Sequence, residues 1–257
     1  MGRVAFVGAG PGAADLITLR GARLLGQAEI VLFDALTDPA LREFAPQARW
    51  IDVGKRGFRA ATAQVTIDAL LVALAQQHTL VVRLKGGDPG VFGRLEEELL
   101  ALAAHGIEAE VVPGITAALA AAAATQRPLT RRGHGRSVSL STAMTHDGAV
   151  PAGRRADTEV LYMAGRQLGR LGPRLVAAGW PAGTPVWVVS RAGWPDQLAS
   201  EHTPATLGAA ALLHAGRPTI VTVGAGAQAL GPPVRRAAQP LPARLEPARG
   251  PASCRAA

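Results

Sequence analysis

The sequence predicts an α/β protein built from two α/β domains. Before residue 114, strand-like apolar runs alternate with stretches of helical spacing. Pro113-Gly114 interrupts that alternation, and a second set of strands and helices then begins. Aromatic residues make up only 4% of the 257 residues, whereas there are 30 Gly and 19 Pro, so small aliphatic side chains must fill the core between many turns. The domain boundaries follow: residues 1–113, residues 114–230, and a segment 231–257 that has no apolar periodicity, carries six Pro and reads as a disordered Pro/Arg-rich tail.

In the first domain, residues 4–7, 29–33, 50–53, 80–84 and 108–112 read as strands. Between them, residues 18–25, 64–76 and 95–104 have helical spacing, with Ile67, Leu70, Leu71 and Leu74 marking one helix face. Strands that alternate with helices predict a mostly parallel sheet covered on its faces. An alanine-rich helix at 117–124 opens the second domain. Strands at 137–141, 160–162, 185–190, 197–202 and 219–223 follow, with helices at 167–178 and 205–214.

Composition narrows the function. The chain has one cysteine, Cys254, so it can form no internal disulfide and no thiolate metal cluster, and a reducing cytoplasm is expected. No basic leader precedes the first strand, and the longest apolar run, 117–124, falls well short of the roughly 20 residues of a membrane span. The six His show no metal-ligand spacing, so no metal site is expected. The formal charge of +8 suggests nucleic acid, but half of it comes from five Arg and one Glu after residue 230. The rest lacks the interleaved aromatics of a single-strand binder, and its arginine clusters serve a small polyanion equally well.

Three segments carry chemistry. Val7-Gly8-Ala9-Gly10-Pro11-Gly12 follows the first strand and lets a ligand approach the backbone. Its spacing is not that of the dinucleotide fingerprint, and a plain tight turn is an equal reading. Asp34 ends the second strand, either as a turn or cap residue or as a carboxylate at the edge where open α/β sheets hold ligands. Val82-Arg83-Leu84-Lys85-Gly86-Gly87-Asp88-Pro89 runs from a strand into two glycines and an acid that can accept from an amine or a ribose hydroxyl.

Taken with Gly54-Lys55, Val91-Phe92-Gly93-Arg94, Val111-Val112-Pro113-Gly114-Ile115-Thr116 and Pro128-Leu129-Thr130, these segments resemble the tetrapyrrole methyltransferase family across about residues 4–226. The resemblance implies a homodimer of two-domain chains with a ligand cleft between the domains. It implies S-adenosyl-L-methionine as methyl donor, with S-adenosyl-L-homocysteine as product. The implied substrate is uroporphyrinogen III, methylated at two pyrrole carbons to precorrin-2 for sirohaem or cobalamin; a later corrin precursor is the alternative. Position by position, the donor contacts implied are Pro11, Gly86, Gly87, Asp88, Val91, Thr116, Ala117, Met163 and Ala192. Asp34 matches the family's proton acceptor and Lys55 its proton donor. Arg131, Arg132 and Arg136 are expected to bind the substrate's carboxylates. The family pattern is departed from at Asp68, Gly90, Leu95, Glu96, Arg131 and Thr142 to Met144.

Overall fold

The computed structural model describes residues 2–54, 63–144 and 156–230. Its first sheet contains β1 (Arg3–Gly8), β2 (Ile30–Phe33), β3 (Arg49–Asp52), β4 (Leu80–Lys85) and β5 (Glu108–Val112), ordered β3-β2-β4-β1-β5. Every pairing in it is parallel. Period-two alternation divides each strand between two cores. Ala5 and Val7 of β1 join Val82 and Leu84 of β4 under α1 (Leu19–Gln27). Val4, Phe6 and Val81 turn the other way, toward α2 (Gln64–Gln77) and α3 (Leu95–Ala103). Thr18 caps α1, its hydroxyl accepting from the Gly21 amide at 3.1 Å, which explains why the helix starts there.

This arrangement locates a crevice. β1 and β4 are neighbours, but the chain leaves β1 toward the face carrying α1 and leaves β4 toward the face carrying α3. The two loops diverge at the carboxyl edge of the sheet, a topological switch point of the kind that holds ligands in open α/β folds.

The second sheet contains β6 (Val138–Thr142), β7 (Thr158–Tyr162), β8 (Val186–Ser190), β9 (Leu198–His202) and β10 (Thr219–Gly224), ordered β6-β7-β10-β8-β9. Only β6 and β7 pair in parallel; β7–β10, β10–β8 and β8–β9 are antiparallel. Leu168, Leu171 and Leu175 of α5 (Leu168–Ala177) cover one face. On the other, Ala118, Ala120 and Ala121 of α4 (Ala117–Ala124) pack with Val160, Tyr162, Val189 and Ile220.

One helix is much shorter than its sequence suggests. Of 205–214, only Ala210–Leu213 is α-helical (α6), preceded by a 3₁₀ turn at Leu207–Ala209. The Thr203 amide donates to the Thr206 hydroxyl at 2.9 Å, a local bond that fixes the turn leading into it. Among the described residues no helix is long and apolar enough to cross a membrane.

Candidate active site

The loop after β1 and the loop after β4 are joined backbone to backbone. The Gly87 amide donates to the Gly10 carbonyl at 2.7 Å, and the Gly10 amide to the Gly87 carbonyl at 3.3 Å. The loop after β5 closes on both. A Cβ on Gly114 would sit 2.3 Å from the Gly87 oxygen and 2.8 Å from Gly8 Cα, so only glycine permits this approach. Asp88 fixes the junction. Its Oδ1 accepts from the Gly90 amide at 2.8 Å and its Oδ2 from the Gly114 amide at 2.9 Å. The sequence suggested an Asp88 carboxylate aimed at a ligand; here each oxygen already holds a loop amide, and a ligand would have to use a remaining lone pair.

The second domain contributes the opposite wall. Thr116 stands at the N-cap position of α4 but makes no side-chain cap. Its hydroxyl lies 2.7 Å from the Tyr162 hydroxyl at the end of β7. Burial raises the Tyr162 phenol's pKa, outweighing the opposing effect of the Thr116 hydrogen bond. Phe92 tilts against the same ring, with centroids 4.9 Å apart. Val91 and Ala117 pack on the cluster that holds Tyr162 and Ala192. The Ala13 amide donates to the Gly193 carbonyl at 2.9 Å, and a Cβ on Gly12 would collide with Trp194. Pro11 therefore sits beside the turn that follows Ala192. Met163, next to Tyr162, has φ 56° and stays substantially exposed. Gly86 lies against Leu36, in the loop that follows Asp34. The structure thus brings the nine expected donor contacts together where the loops after β1, β4 and β5 meet the loops after β7 and β8.

Asp34 lies at the rim of this cleft and caps no helix. Asp38 does the local capping, accepting from the Ala40 amide at 2.9 Å. The Asp34 side chain instead meets Arg83, whose Nη2 donates to Oδ1 at 2.6 Å. Behind it lies a buried charged network that sequence reasoning missed. Arg83 and Lys85 are two apart on β4 and point to the face covered by α3. Glu98 of α3 meets both, accepting from Arg83 Nε at 3.2 Å and from Lys85 Nζ at 2.7 Å. Arg83, Lys85 and Glu98 are all buried, and with Asp34 the four formal charges cancel. Burial pulls the Lys85 pKa down; Arg83 adds to the effect and Glu98 opposes it. The sequence clue was available: two bases at i and i+2 in an otherwise apolar strand need an acid on the same face.

The remaining expected residues are not gathered here. Lys55 lies outside the described residues; Gly54, just before it, rests against Ala35, since a Cβ there would meet the Ala35 amide. Arg131, Arg132 and Arg136 occupy a hairpin closed by an Arg131–Gly135 bridge. Arg131 Nη2 donates to the Gln228 carbonyl and the Arg136 amide to Asp157. These partners flank the start of β7 and the end of β10, whereas Tyr162 ends β7 at the cleft. The hairpin is therefore one strand length from Asp34's cleft, and within one chain the structure does not bring these arginines to it. Among the described residues no three or more His, Cys, Asp or Glu are grouped to hold a metal.

A family model described as tetrapyrrole (corrin/porphyrin) methylases matches residues 3–211. A uroporphyrinogen-III C-methyltransferase from Synechocystis sp. is 42% identical over 88% of this chain and 89% of its own length. The Pseudomonas aeruginosa protein of that name is 44% identical over 76% of this chain and 82% of its own length. The crystal structure of the uroporphyrin-III C-methyltransferase of Thermus thermophilus complexed with S-adenosyl homocysteine superposes with a TM-score of 0.76, at 35% identity, covering 88% of this chain and 93% of that one. With the glycine-lined cleft already in place between its two α/β domains, the chain belongs to the tetrapyrrole (corrin/porphyrin) methylase family.

Proposed function

We propose that the chain transfers methyl groups from S-adenosylmethionine to two pyrrole carbons of uroporphyrinogen III, giving precorrin-2. The observation that carries this reading is the meeting of the Gly10–Gly87 backbone junction with Asp34 at one sheet edge. The cleft fits the donor in kind: glycine backbone on one wall, and on the other the exposed side chains of Phe92 and Met163 beside Tyr162. Pro11, Gly86, Gly87, Asp88, Val91, Thr116, Ala117, Met163 and Ala192 would hold it. When bound, it supplies an electrophilic methyl group whose carbon–sulfur bond breaks with the electron pair left on sulfur.

The protein's part is to align a pyrrole carbon with that methyl and exclude water, and positioning of this kind can lower a barrier by roughly 7–11 kcal/mol. The new carbon–carbon bond uses ring π electrons and leaves a cationic ring, which regains neutrality by losing a proton. Asp34, at the rim, accepts that proton. The domains divide at residues 113 and 114, and Lys55 serves as proton donor. The enzyme acts as a homodimer in the cytoplasm, which sedimentation and fractionation would check.

Anaerobic incubation of uroporphyrinogen III with methyl-labelled donor is the test. Label in the tetrapyrrole fraction at two methyl groups per tetrapyrrole supports the reading. Absence of label, or label only with a later corrin as acceptor, contradicts it.

A further inference from the structure

The geometry points to Arg83 as a positioning residue, one that acts through Asp34 and touches neither ligand. This inference rests on the reading of Asp34 as proton acceptor and extends it to a residue that reading leaves out.

The Arg83 guanidinium lies at the centre of the network. Each of its three nitrogens donates, and in three directions. Nε donates to Glu98 Oε1 at 3.2 Å, Nη1 to the Leu84 carbonyl at 3.3 Å, and Nη2 to Asp34 Oδ1 at 2.6 Å. A planar fork held on every side cannot rotate. Glu98 is itself held, because its other oxygen accepts from Lys85 at 2.7 Å and Gln64 Nε2 reaches Oε1 at 3.3 Å. Arg83, Lys85 and Glu98 are buried, whereas the Asp34 side chain is 31% exposed. Asp34 is thus the one acid of the network that reaches the cleft. One oxygen is fixed to Arg83, and among the described residues the other has no partner.

A free aspartate has two rotatable bonds and would present either oxygen in many directions. Here the network leaves one oxygen, in one orientation. Three buried charges are a costly way to stiffen a fold, since apolar side chains of similar volume can do so at no such desolvation penalty. They make sense if the product of the arrangement is the aim of the Asp34 carboxylate.

The experiment measures kcat and both KM values for Arg83→Gln and Arg83→Lys, each in the wild-type and the Asp34→Asn backgrounds. In the wild-type background Arg83→Gln is expected to lower kcat about ten- to a hundredfold, with both KM values within about threefold. Arg83→Lys, which keeps a cation but lacks the planar fork that reaches these three partners, should recover part of that loss. In the Asp34→Asn background neither change should cost more than about twofold, because the group being positioned no longer functions. Equal losses in both backgrounds, or a raised KM at unchanged kcat, would overturn the inference. If Asp34→Asn alone turns over normally, the acceptor role itself fails and takes the inference with it. If Asp34→Asn is slow while both Arg83 variants are fast, only the inference fails. Should Arg83→Gln not fold, the Arg83→Lys comparison across the two backgrounds decides by the same criteria.

Discussion

The two sheets each have five strands, yet they arrange their edges in opposite ways. The first is entirely parallel, so all five strands end at the same edge, and the loops after β1, β2, β4 and β5 bring Gly10, Asp34, Gly87 and Gly114 together there. The second is mixed, and its loops are shared between two ends: Tyr162 and Ala192 at the cleft, the Arg131–Gly135 hairpin at the other. The first buries charge, in Arg83, Lys85 and Glu98. The second buries charge too, in Glu159 of β7, which accepts from Trp180 Nε1 at 3.0 Å. Elsewhere in it Arg217 Nε donates to the Ser190 hydroxyl at 2.9 Å, and that hydroxyl lies 2.9 Å from His214 Nδ1. The Ser200 hydroxyl lies 2.8 Å from both His214 Nε2 and His202 Nε2. Parallel topology gathers loop backbone at one edge, and the buried charges of that half end at Asp34. The mixed sheet supplies a wall.

The largest effect expected of a single methyl group falls at the parallel edge. Gly114→Ala drives a Cβ into the Gly87 carbonyl and Gly8, so the three loops must part. Donor affinity should fall at least tenfold and stability by roughly 1–3 kcal/mol. Calorimetry with S-adenosylhomocysteine and a thermal melt would check both, and near-normal values would break the claim that this edge is the site.

Asp88→Ala should act next most strongly. It frees the Gly90 and Gly114 amides, weakening donor binding about tenfold while the fold survives. Unchanged affinity would mean that the junction holds its shape without the carboxylate.

How much of this was legible in the sequence follows from the same contrast. The parallel sheet announced itself because alternating strands and helices leave a periodic trace, and because Gly86-Gly87-Asp88-Pro89 is more than a turn needs. Asp34 could be placed because strand ends in such a sheet share an edge. The Arg83–Glu98–Lys85 network was not foreseen, since Glu98 looks like one of three acids at the start of an exposed helix. The antiparallel pairings were equally hidden: a strand's own residues do not state its neighbour's direction, and only the short 191–197 connection hinted at the β8–β9 hairpin. The arginines at 131, 132 and 136 were assigned by charge alone. Charge does not say to which end of a strand a hairpin is tied.

A smaller effect is expected in the mixed sheet. Burial, with His202 and Arg217 nearby, holds the His214 pKa below the ordinary histidine value. The unfolded chain therefore takes up that proton first as pH falls. Stability should be fully present above about pH 6.5 and decline below it, by a few degrees of Tm. His214→Gln should flatten that slope; an unchanged slope would assign the acid sensitivity to other groups.

The smallest effect is expected outside both sheets. Removing residues 231–257 should leave turnover within about twofold, because the segment has no apolar periodicity with which to join either core. The same truncation should sharply reduce retention on heparin, assigning the basic character to the tail. A large loss of activity would show instead that the tail docks on one of the sheets.

The claim at the centre is that the carboxylate at the parallel edge takes a proton during methyl transfer. Asp34→Asn keeps the shape of the side chain and an oxygen for Arg83 but removes an effective base. Single-turnover methyl transfer with both ligands saturating isolates the chemical step. The account predicts a rate lowered about a hundredfold or more, with both affinities little changed. A rate within a few-fold of wild type would contradict it and leave Asp34 as a structural partner of Arg83.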